Sequence, residues 1–395
     1  MDRTLGFVFV LFFICGLFVS LFGSVGLGSG LVEDSWISKA PLNQARDGLG
    51  VVAVNGKIYA IGGSTENRKD GFDNAHWAEF VGTNECYDPV TDTWTTLADM
   101  PTPRSNFAIA VYQGKIYCIG GINGTKLDDH YGMFPQLVYC DIVEVYDIAA
   151  NSWSTRASVP YSTYRMSAAS VVGGKIFFVR VPDCVCYDPI ADTWTNKTRM
   201  PTGSPYGQGY YPVLVVVDNK IVVTSNIDFG FSSGGVRGVF VYDPRRDVWR
   251  EGDNRGRIAY LGGAGATTGV YAPKKIYVMG NIFYGNNPDV IGVNRVYDVS
   301  GDSWSDGAGM LTPRLGFGVA VVDDIVYVVG GRTDYEFVSA LNEAYIPIGY
   351  SSVPRYWNIA VLVLTAGAGV VVSVLYFKKL SNREKTKSIN PYQVY

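Results

Sequence analysis

The chain has 395 residues, of which 17 % are charged, and it is rich in Gly (46), Tyr (27) and Phe (19). This length provides enough material for a large buried core, and few charges with many glycines and aromatics favour an all-β fold over a helical bundle. The net charge of −3 includes a basic C-terminal tail, so the rest of the chain is more acidic. That balance argues against nucleic acid or anionic lipid as its partner.

The N-terminal segment has the layout of a secretory signal. Arg3 precedes an apolar run from Leu5 to Phe22, and mostly small residues follow up to Gly30. The run is long for a cleaved signal, and no A-x-A cleavage site follows it. Residues 1–30 are therefore predicted to be a signal peptide, with an uncleaved membrane anchor as the alternative.

The middle of the chain, residues 31–350, repeats one unit. The clearest copy contains the segment 100–104 (MPTPR), the segment 113–121 (QGKIYCIGG), the pair Tyr146-Asp147 and then Trp153. Short runs of Val, Ile and Tyr are typical of strands, and Gly-Gly and Tyr-Asp-Pro are typical of tight turns between them. The tryptophans of the six units are Trp36, Trp94, Trp153, Trp194, Trp249 and Trp304.

The last unit ends at Tyr345 without a tryptophan, whereas Trp36 stands alone before the first complete unit. If the repeats form a ring, the strand around Trp36 supplies the outer strand that the last unit lacks. Such closure leaves only short, protected strand edges.

On these motifs the chain resembles kelch-repeat proteins over residues 31–350. The resemblance implies an all-β fold, a six-bladed kelch-type β-propeller, here closed by the N-terminal strand. Three units depart from the pattern, because Gly-Gly is replaced by Val179-Arg180, Thr224-Ser225 and Gly280-Asn281.

The C-terminal segment predicts a transmembrane helix at residues 357–377. These 21 residues carry no charge and would span about 31 Å as a helix, with aromatic residues at both ends. A buried core helix is the alternative, but the basic residues that follow favour a membrane span. The chain is thus predicted to be a single-pass protein of the cell membrane, with an extracytoplasmic propeller and a short cytoplasmic tail at residues 378–395.

Two long loops, residues 64–85 and 122–141, hold the first candidate binding site. Their aromatic platforms and nearby acids could bind a sugar or a peptide, and two histidines with an acid could bind a metal. Alternatively, the loops only cover the disc, and neither a metal nor a cofactor is predicted. The candidate residues are His76, Trp77, Phe80, His130, Tyr131 and Phe134.

Four arginines form the second candidate site. They occupy matching positions at the start of the first strand of their units, where they could ring the channel mouth and hold an acidic ligand. Pairing of each arginine with an Asp in a neighbouring turn is the structural alternative. The residues are Arg46, Arg104, Arg165 and Arg314.

Cysteines and sequons give two further hypotheses. Cys118 ends a second strand and Cys140 precedes a third strand, so an antiparallel pairing predicts a disulfide between them in an oxidising compartment. Asn123 and Asn196 begin N-x-Thr sequons, which are glycosylation acceptors if the domain is exported.

Two classes of function are compatible with these features. The first is a binding, adhesion or scaffold module with a protein or carbohydrate ligand on the loop-bearing face. The second, implied by the resemblance, is a sugar-active enzyme like the kelch-type mutarotases, whose channel needs a few acids and arginines. Copper oxidases of this fold need two His and two Tyr, which two histidines in separate loops match poorly. No residue is predicted to be catalytic, and binding is the favoured function.

Overall fold

Short apolar runs bounded by turn residues form the strands of each repeat. The computed structural model describes residues 31–65, 79–127, 135–160, 167–201, 212–225, 238–252, 260–281, 292–333 and 337–354. Within these ranges every element is a strand of four to seven residues or a turn. The described residues from Glu33 onward belong to one unit, and residues before it belong to another.

The strands follow the repeats in chain order. The first strand, β1, is Ser35–Lys39. The first blade has β2 (Gly50–Val54), β3 (Lys57–Ile61), β4 (Asn84–Asp88) and β5 (Thr93–Leu97). The second blade has β6 (Ala108–Tyr112), β7 (Lys115–Ile119), an added hairpin of β8 (Ile122–Leu127) and β9 (Pro135–Tyr139), then β10 (Val143–Asp147) and β11 (Ser152–Arg156). The third blade has β12 (Ala168–Val172), β13 (Lys175–Arg180), β14 (Asp183–Asp188) and β15 (Thr193–Asn196).

The remaining blades repeat the same order. The fourth blade has β16 (Val213–Val217), β17 (Lys220–Ser225), β18 (Gly238–Asp243) and β19 (Val248–Glu251). The fifth blade has β20 (Tyr260–Ala266), β21 (Ile276–Asn281), β22 (Gly292–Asp298) and β23 (Ser303–Asp306). The sixth blade has β24 (Gly318–Val322), β25 (Ile325–Val329) and β26 (Asn342–Ile346).

The described strands form six antiparallel sheets of four strands each and one two-stranded hairpin. The first strands of consecutive blades contact one another from β2 through β6, β12, β16 and β20 to β24, and β24 contacts β2 again. The sheets are therefore arranged as blades around one axis. The predicted all-β fold with six blades is confirmed.

The sixth sheet combines the two ends of the described chain. Its strand order is β1-β26-β25-β24, so β1 is the outer strand. Trp36 lies opposite Tyr345, and Ser35 lies opposite Ile346. This strand is separated by about 300 residues from the strand with which it pairs.

The propeller has two different faces. We define the turn face by the tight turns between first and second strands and between third and fourth strands, such as 55–56 and 89–92. We define the loop face by the connections between second and third strands, such as 62–83, and between blades, such as 98–107. Because β1 starts opposite the end of β26, both ends of the described chain leave from the turn face.

Tyrosine and tryptophan side chains join neighbouring blades by a repeated set of hydrogen bonds. In the first blade, the Tyr87 hydroxyl donates to Asp92 Oδ1 (2.5 Å), which also accepts from the backbone N–H of Ala40 in the preceding connection (2.9 Å). Trp94 Nε1 donates to the carbonyl of the same Ala40 (2.8 Å), and its ring packs 5.0 Å from Tyr87. The acceptors of the tyrosine hydroxyl in the other blades are Asn151, Asp192, Asp247, Asp302 and Asp34.

This arrangement predicts a pH-dependent difference between equivalent blades. The Tyr187 hydroxyl and the Ala157 N–H lower the pKa of Asp192, whereas Asn151 makes the same bonds without a charge. A depressed carboxyl pKa contributes stability above the unfolded value, near pH 4, and this stability is lost as the pH falls through the folded pKa. We therefore expect Asp192→Asn to be less stable than the wild type at pH 7, and we expect this difference to shrink as the pH falls below about 4.

Urea unfolding of the full chain in detergent, followed by tryptophan fluorescence at several pH values, measures this difference. The reciprocal Asn151→Asp is the matched control, and it should gain more stability at pH 7 than at pH 2.5. A stability difference for Asp192→Asn that is the same at both pH values would contradict the assignment.

No helix long and apolar enough to cross a membrane occurs among the residues that the structure describes. The predicted signal at 1–30, the predicted transmembrane helix at 357–377 and the tail at 378–395 lie outside these residues.

Candidate functional site

The central channel is the first candidate site. Its cavity has a volume of about 440 Å³ and is lined by the first strands of all six blades. The lining side chains are small or apolar, for example Val52, Ile109 and Val319. Ser167 and Ser170 are the polar side chains in this lining, and none of the described lining residues is ionisable. The described channel wall therefore offers no side chain for acid–base catalysis and no base that could activate its two serine hydroxyls.

The described arginines of the predicted ring are not exposed at the channel mouth. Arg46, Arg104 and Arg314 are fully buried, each at 0 % exposure, so their guanidinium groups are not available to a ligand. The interpretation as a ligand-binding ring is therefore corrected for these three, and Arg165 lies outside the described residues.

Each buried arginine is paired with a glutamate on the third strand of its own blade. Arg46 Nη2 lies 2.5 Å from Glu85 Oε2, and Arg104 and Arg314 contact Glu144 and Glu343 in the same way. The partner is thus a glutamate, and not the turn aspartate that the structural alternative named. Burial lowers the pKa of Arg46, and the charge of Glu85 opposes this shift.

The remaining guanidinium N–H groups bind the backbone of the same blade. Arg314 Nη2 donates to the carbonyl of Val328 (2.8 Å), and Arg314 Nε donates to that of Gly330 (3.0 Å). Thr312 Oγ1 donates to the second oxygen of Glu343 (2.6 Å). The pair therefore fixes the turn before the first strand onto the second and third strands, and its role is structural.

The sequence contained a signal for these pairs. Each glutamate stands two residues before the repeat tyrosine of the third strand, which is Tyr87, Tyr146 or Tyr345. In the other three blades this position is Val185, Phe240 or Arg295. The pairs therefore occur in three consecutive blades, the sixth, the first and the second.

The two long loops begin from a small bridged base on the loop face. In the first blade, Ser64 forms β-bridges with Asp47 on one side and with Phe80 on the other. Gly63 precedes it at φ +104°, and a Cβ there would lie 2.7 Å from the carbonyl of Asp47, so only glycine fits. The base of the first loop is therefore held beside the channel, with Phe80 at its far edge.

The other candidate loop residues are five histidine or aromatic side chains. His76, Trp77, His130, Tyr131 and Phe134 lie outside the described residues, so their joint site stays a prediction. The second loop contributes the hairpin β8–β9, whose Leu137 is an exposed apolar side chain. Among the described residues, no group of three or more His, Cys, Asp or Glu side chains is arranged to hold a metal ion.

A charged cluster at the junction of the first and sixth blades was missed by sequence reasoning. Arg332 Nε donates to Asp47 Oδ2 (2.6 Å), and Ser64 Oγ donates to Asp47 Oδ1 (2.5 Å). Asp47 and Arg332 are 285 residues apart in the chain, so only closure of the ring brings them together. Both side chains are partly exposed, so this cluster is accessible from the loop face.

Backbone hydrogen bonds link the first, second and sixth blades beside this cluster. Gly48 N–H donates to the carbonyl of Gly316 (2.7 Å), and Asn106 N–H donates to the carbonyl of Gly48 (2.7 Å). These residues have positive φ and occupy equivalent positions two residues after the buried arginines. They fix the rim of the channel on the loop face across the three blades that carry the arginine–glutamate pairs.

The predicted disulfide is not present. All five described cysteines are buried, including Cys118 and Cys140. The register places Cys118 opposite Glu144, whereas the Cys140 N–H bonds to the carbonyl of Gly121, so the two residues are not opposite one another. Burial raises the pKa of Cys118 to about 12, which makes this thiol unreactive.

The two sequons differ in exposure. Asn196 is exposed at the end of β15, an outer strand of the third blade, whereas Asn123 lies half-buried in β8 with its Oδ1 shielded from solvent. Glycosylation at both stays a prediction, and a glycan is more easily accommodated at Asn196.

Comparison with known proteins identifies the repeat. The Kelch motif matches residues 45–101, 103–160 and 313–346, which are the first, second and sixth blades. Influenza virus NS1A-binding protein homolog of Mus musculus is 45 % identical over 89 residues, or 22 % of this chain and 12 % of that protein. Kelch-like protein 7 of Rattus norvegicus is 30 % identical over 219 residues, or 43 % of this chain and 35 % of that protein. The chain therefore spans about a third or less of the length of these relatives.

A solved structure shows the same fold. The structure titled "Structure of YjhT" superposes with a TM-score of 0.56 at 13 % sequence identity, covering 76 % of this chain and 95 % of the other. At this identity the similarity concerns the fold alone.

Proposed function

We propose that this chain, which belongs to the kelch-repeat family, is a membrane-anchored extracytoplasmic binding module that recognises a protein through its loop face. The observation that carries the proposal is the contrast between the channel and the loop face. The described channel wall has no ionisable side chain, whereas the loop face carries an added hairpin and an accessible charged cluster. A carbohydrate ligand on the same face is the alternative, and the array experiment below distinguishes it from a protein ligand.

The comparisons support a protein ligand. One similar protein is named an influenza virus NS1A-binding protein, and that name assigns protein binding to it. The sugar-active alternative would need acids and arginines in the channel, and the described lining residues supply none. The three described arginines of the predicted ring, Arg46, Arg104 and Arg314, are buried in ion pairs. We therefore do not propose an enzymatic function.

The membrane anchor and the closing strand complete the proposal. The apolar segment 357–377 and the basic residues after it would anchor the chain and place the propeller outside the cytoplasm. The strand β1 would close the ring, because Trp36 and the preceding residue Asp34 make in the sixth blade the hydrogen bonds that the equivalent residues make in the other blades.

Binding to protein and glycan arrays tests this function. The detergent-solubilised full chain is compared with a variant in which residues 123–138 are replaced by Asn-Gly, which shortens the hairpin β8–β9 to a two-residue turn. We expect array binding to weaken at least tenfold, since removal of a central contact surface costs about 1.4 kcal/mol or more. Signals on peptides or proteins, and not on glycans, would support the protein ligand.

The double substitution Val90→Ser and Ile190→Ser on the turn face is the matched control, because both side chains are highly exposed. This variant should bind as the wild type does. Loss of binding in the control with retention in the shortened hairpin would contradict the assignment to the loop face.

A further inference from the structure

Both ends of the described chain leave the propeller at one place. Ser35 at the start of β1 lies opposite Ile346 at the end of β26, next to the turn at 323–324. The Gly349 N–H also donates to the carboxylate of Glu33. The two ends are therefore adjacent on the turn face of the sixth blade.

The C-terminal end is held on this face by side-chain and backbone contacts. The rings of Tyr350 and Tyr271 are stacked at 6.4 Å, and the Ser351 N–H donates to the carbonyl of Tyr271 (2.8 Å). The loop that carries Tyr271 is fixed by Asp324, a carboxylate at 1 % exposure. Asp324 accepts from the N–H groups of Tyr271 (2.7 Å) and Ala272 (2.9 Å). Ser351 therefore has a defined position on the turn face.

The chain that follows Ser351 is short. The apolar segment 357–377 begins six residues after Ser351, and six residues of fully extended chain cover about 20 Å. To reach the loop face, the connecting chain would have to run along a five-residue strand, which is about 17 Å long, and also past the turns at both of its ends. This connection is too short to bring the segment to the loop face, so the segment starts near the turn face.

We propose that the turn face lies against a lipid bilayer and that the loop face points away from it. This inference rests on the membrane anchoring proposed above and adds an orientation to it. The contact is a docking of the turn face at the level of the lipid headgroups, with the loop face left open to a partner.

The chemistry of the turn face fits a hydrated headgroup layer. Val90 is 92 % exposed at the tip of its turn, and Ile348 is 48 % exposed beside the chain exit. Three lysines that begin second strands, Lys57, Lys115 and Lys175, are paired with aspartates of the turns, as in Lys57–Asp88 at 3.2 Å. Because these cations are paired, the orientation should depend on the short connection and not on anionic lipid, and salt should not change it.

Fluorescence quenching in vesicles tests the orientation. The full chain is reconstituted in phosphatidylcholine vesicles that contain a lipid with a nitroxide on its headgroup. Bimane is attached to Val90→Cys or Ile348→Cys on the turn face, or to Leu311→Cys, which is 55 % exposed on the loop face next to the sixth blade. The described native cysteines are buried, and labelling of the wild type gives the background. We expect quenching at positions 90 and 348 to be at least twice that at position 311, in both 50 mM and 500 mM salt.

Flotation of the vesicles after an alkaline carbonate wash separates the two possible failures. Equal quenching at positions 90, 348 and 311, or stronger quenching at position 311, in chains that float would overturn the orientation and leave the anchor intact. Chains that do not float would overturn both the anchor and the orientation.

Discussion

Replacing Trp36 with alanine is expected to lower the free energy of unfolding by about 3 kcal/mol, the lower end of the range for Trp→Ala because this ring is half-buried. The ring packs 5.3 Å from Tyr345, and Nε1 donates to the carbonyl of Ala308 (3.0 Å). Both contacts join β1 to the rest of the ring. Their loss should release β1 from β26, because no covalent connection joins these two strands directly.

Hydrogen exchange of the full chain in detergent measures this release. In Trp36→Ala, amide protection should fall in β1 and β26. The matched control is Trp153→Ala, whose ring packs 5.1 Å from Tyr146 and whose Nε1 donates to Ala98 (2.8 Å) inside a continuous repeat. In Trp153→Ala, the loss of amide protection should be confined to β10 and β11. Unchanged protection of residues 342–346 in Trp36→Ala would contradict the proposed closure by β1.

Glu144→Gln is expected to lower the free energy of unfolding by about 3–5 kcal/mol, because it leaves the charge of Arg104 buried without a counter-ion. The Arg104 side chain is fully buried, and that of Glu144 is 5 % exposed. The amide of glutamine can still accept from Thr102, so the loss should come from the missing charge. Denaturant unfolding of the full chain measures it.

The double substitution Arg104→Met and Glu144→Val is the control for this buried charge. It removes both charges, and its valine is the residue type that the third blade has at the position of the glutamate, Val185. Its stability should lie closer to the wild type than that of Glu144→Gln. If Glu144→Gln instead folded with full stability but failed to bind a ligand, the arginines would have to be assigned to a binding site.

The number and type of the blades could be predicted because each motif residue has a local role. Trp94 contacts Tyr87 of its own repeat, and the glycine pair at 62–63 turns the chain where no Cβ fits. Such roles depend on residues that are close in the sequence, and they recur at a fixed spacing. The Kelch motif matches the three blades that also carry the arginine–glutamate pair, so the most regular repeats are those with this internal contact.

The candidate sites were harder to predict, because they depend on the direction and depth of side chains. The start of a first strand is close to the channel, but the side chain of Arg46 points back into its blade towards Glu85, 39 residues later. The disulfide prediction was wrong because it treated Cys118 as the last paired residue of the second strand, whereas backbone pairing with the returning chain continues to Gly121. The Asp47–Arg332 contact depends on ring closure and has no local signal.

The pairing of β1 with β26 also has a mechanical consequence. The two strands are antiparallel and their free ends lie side by side, with Ser35 opposite Ile346. A force that pulls these ends apart therefore breaks the backbone hydrogen bonds between the strands one after another. It does not load all of them together, as a shear force along the strands would. If both apolar segments stayed in the same membrane, lateral tension between them would peel the sixth blade first. Removal of the N-terminal segment would relieve the ring of that load.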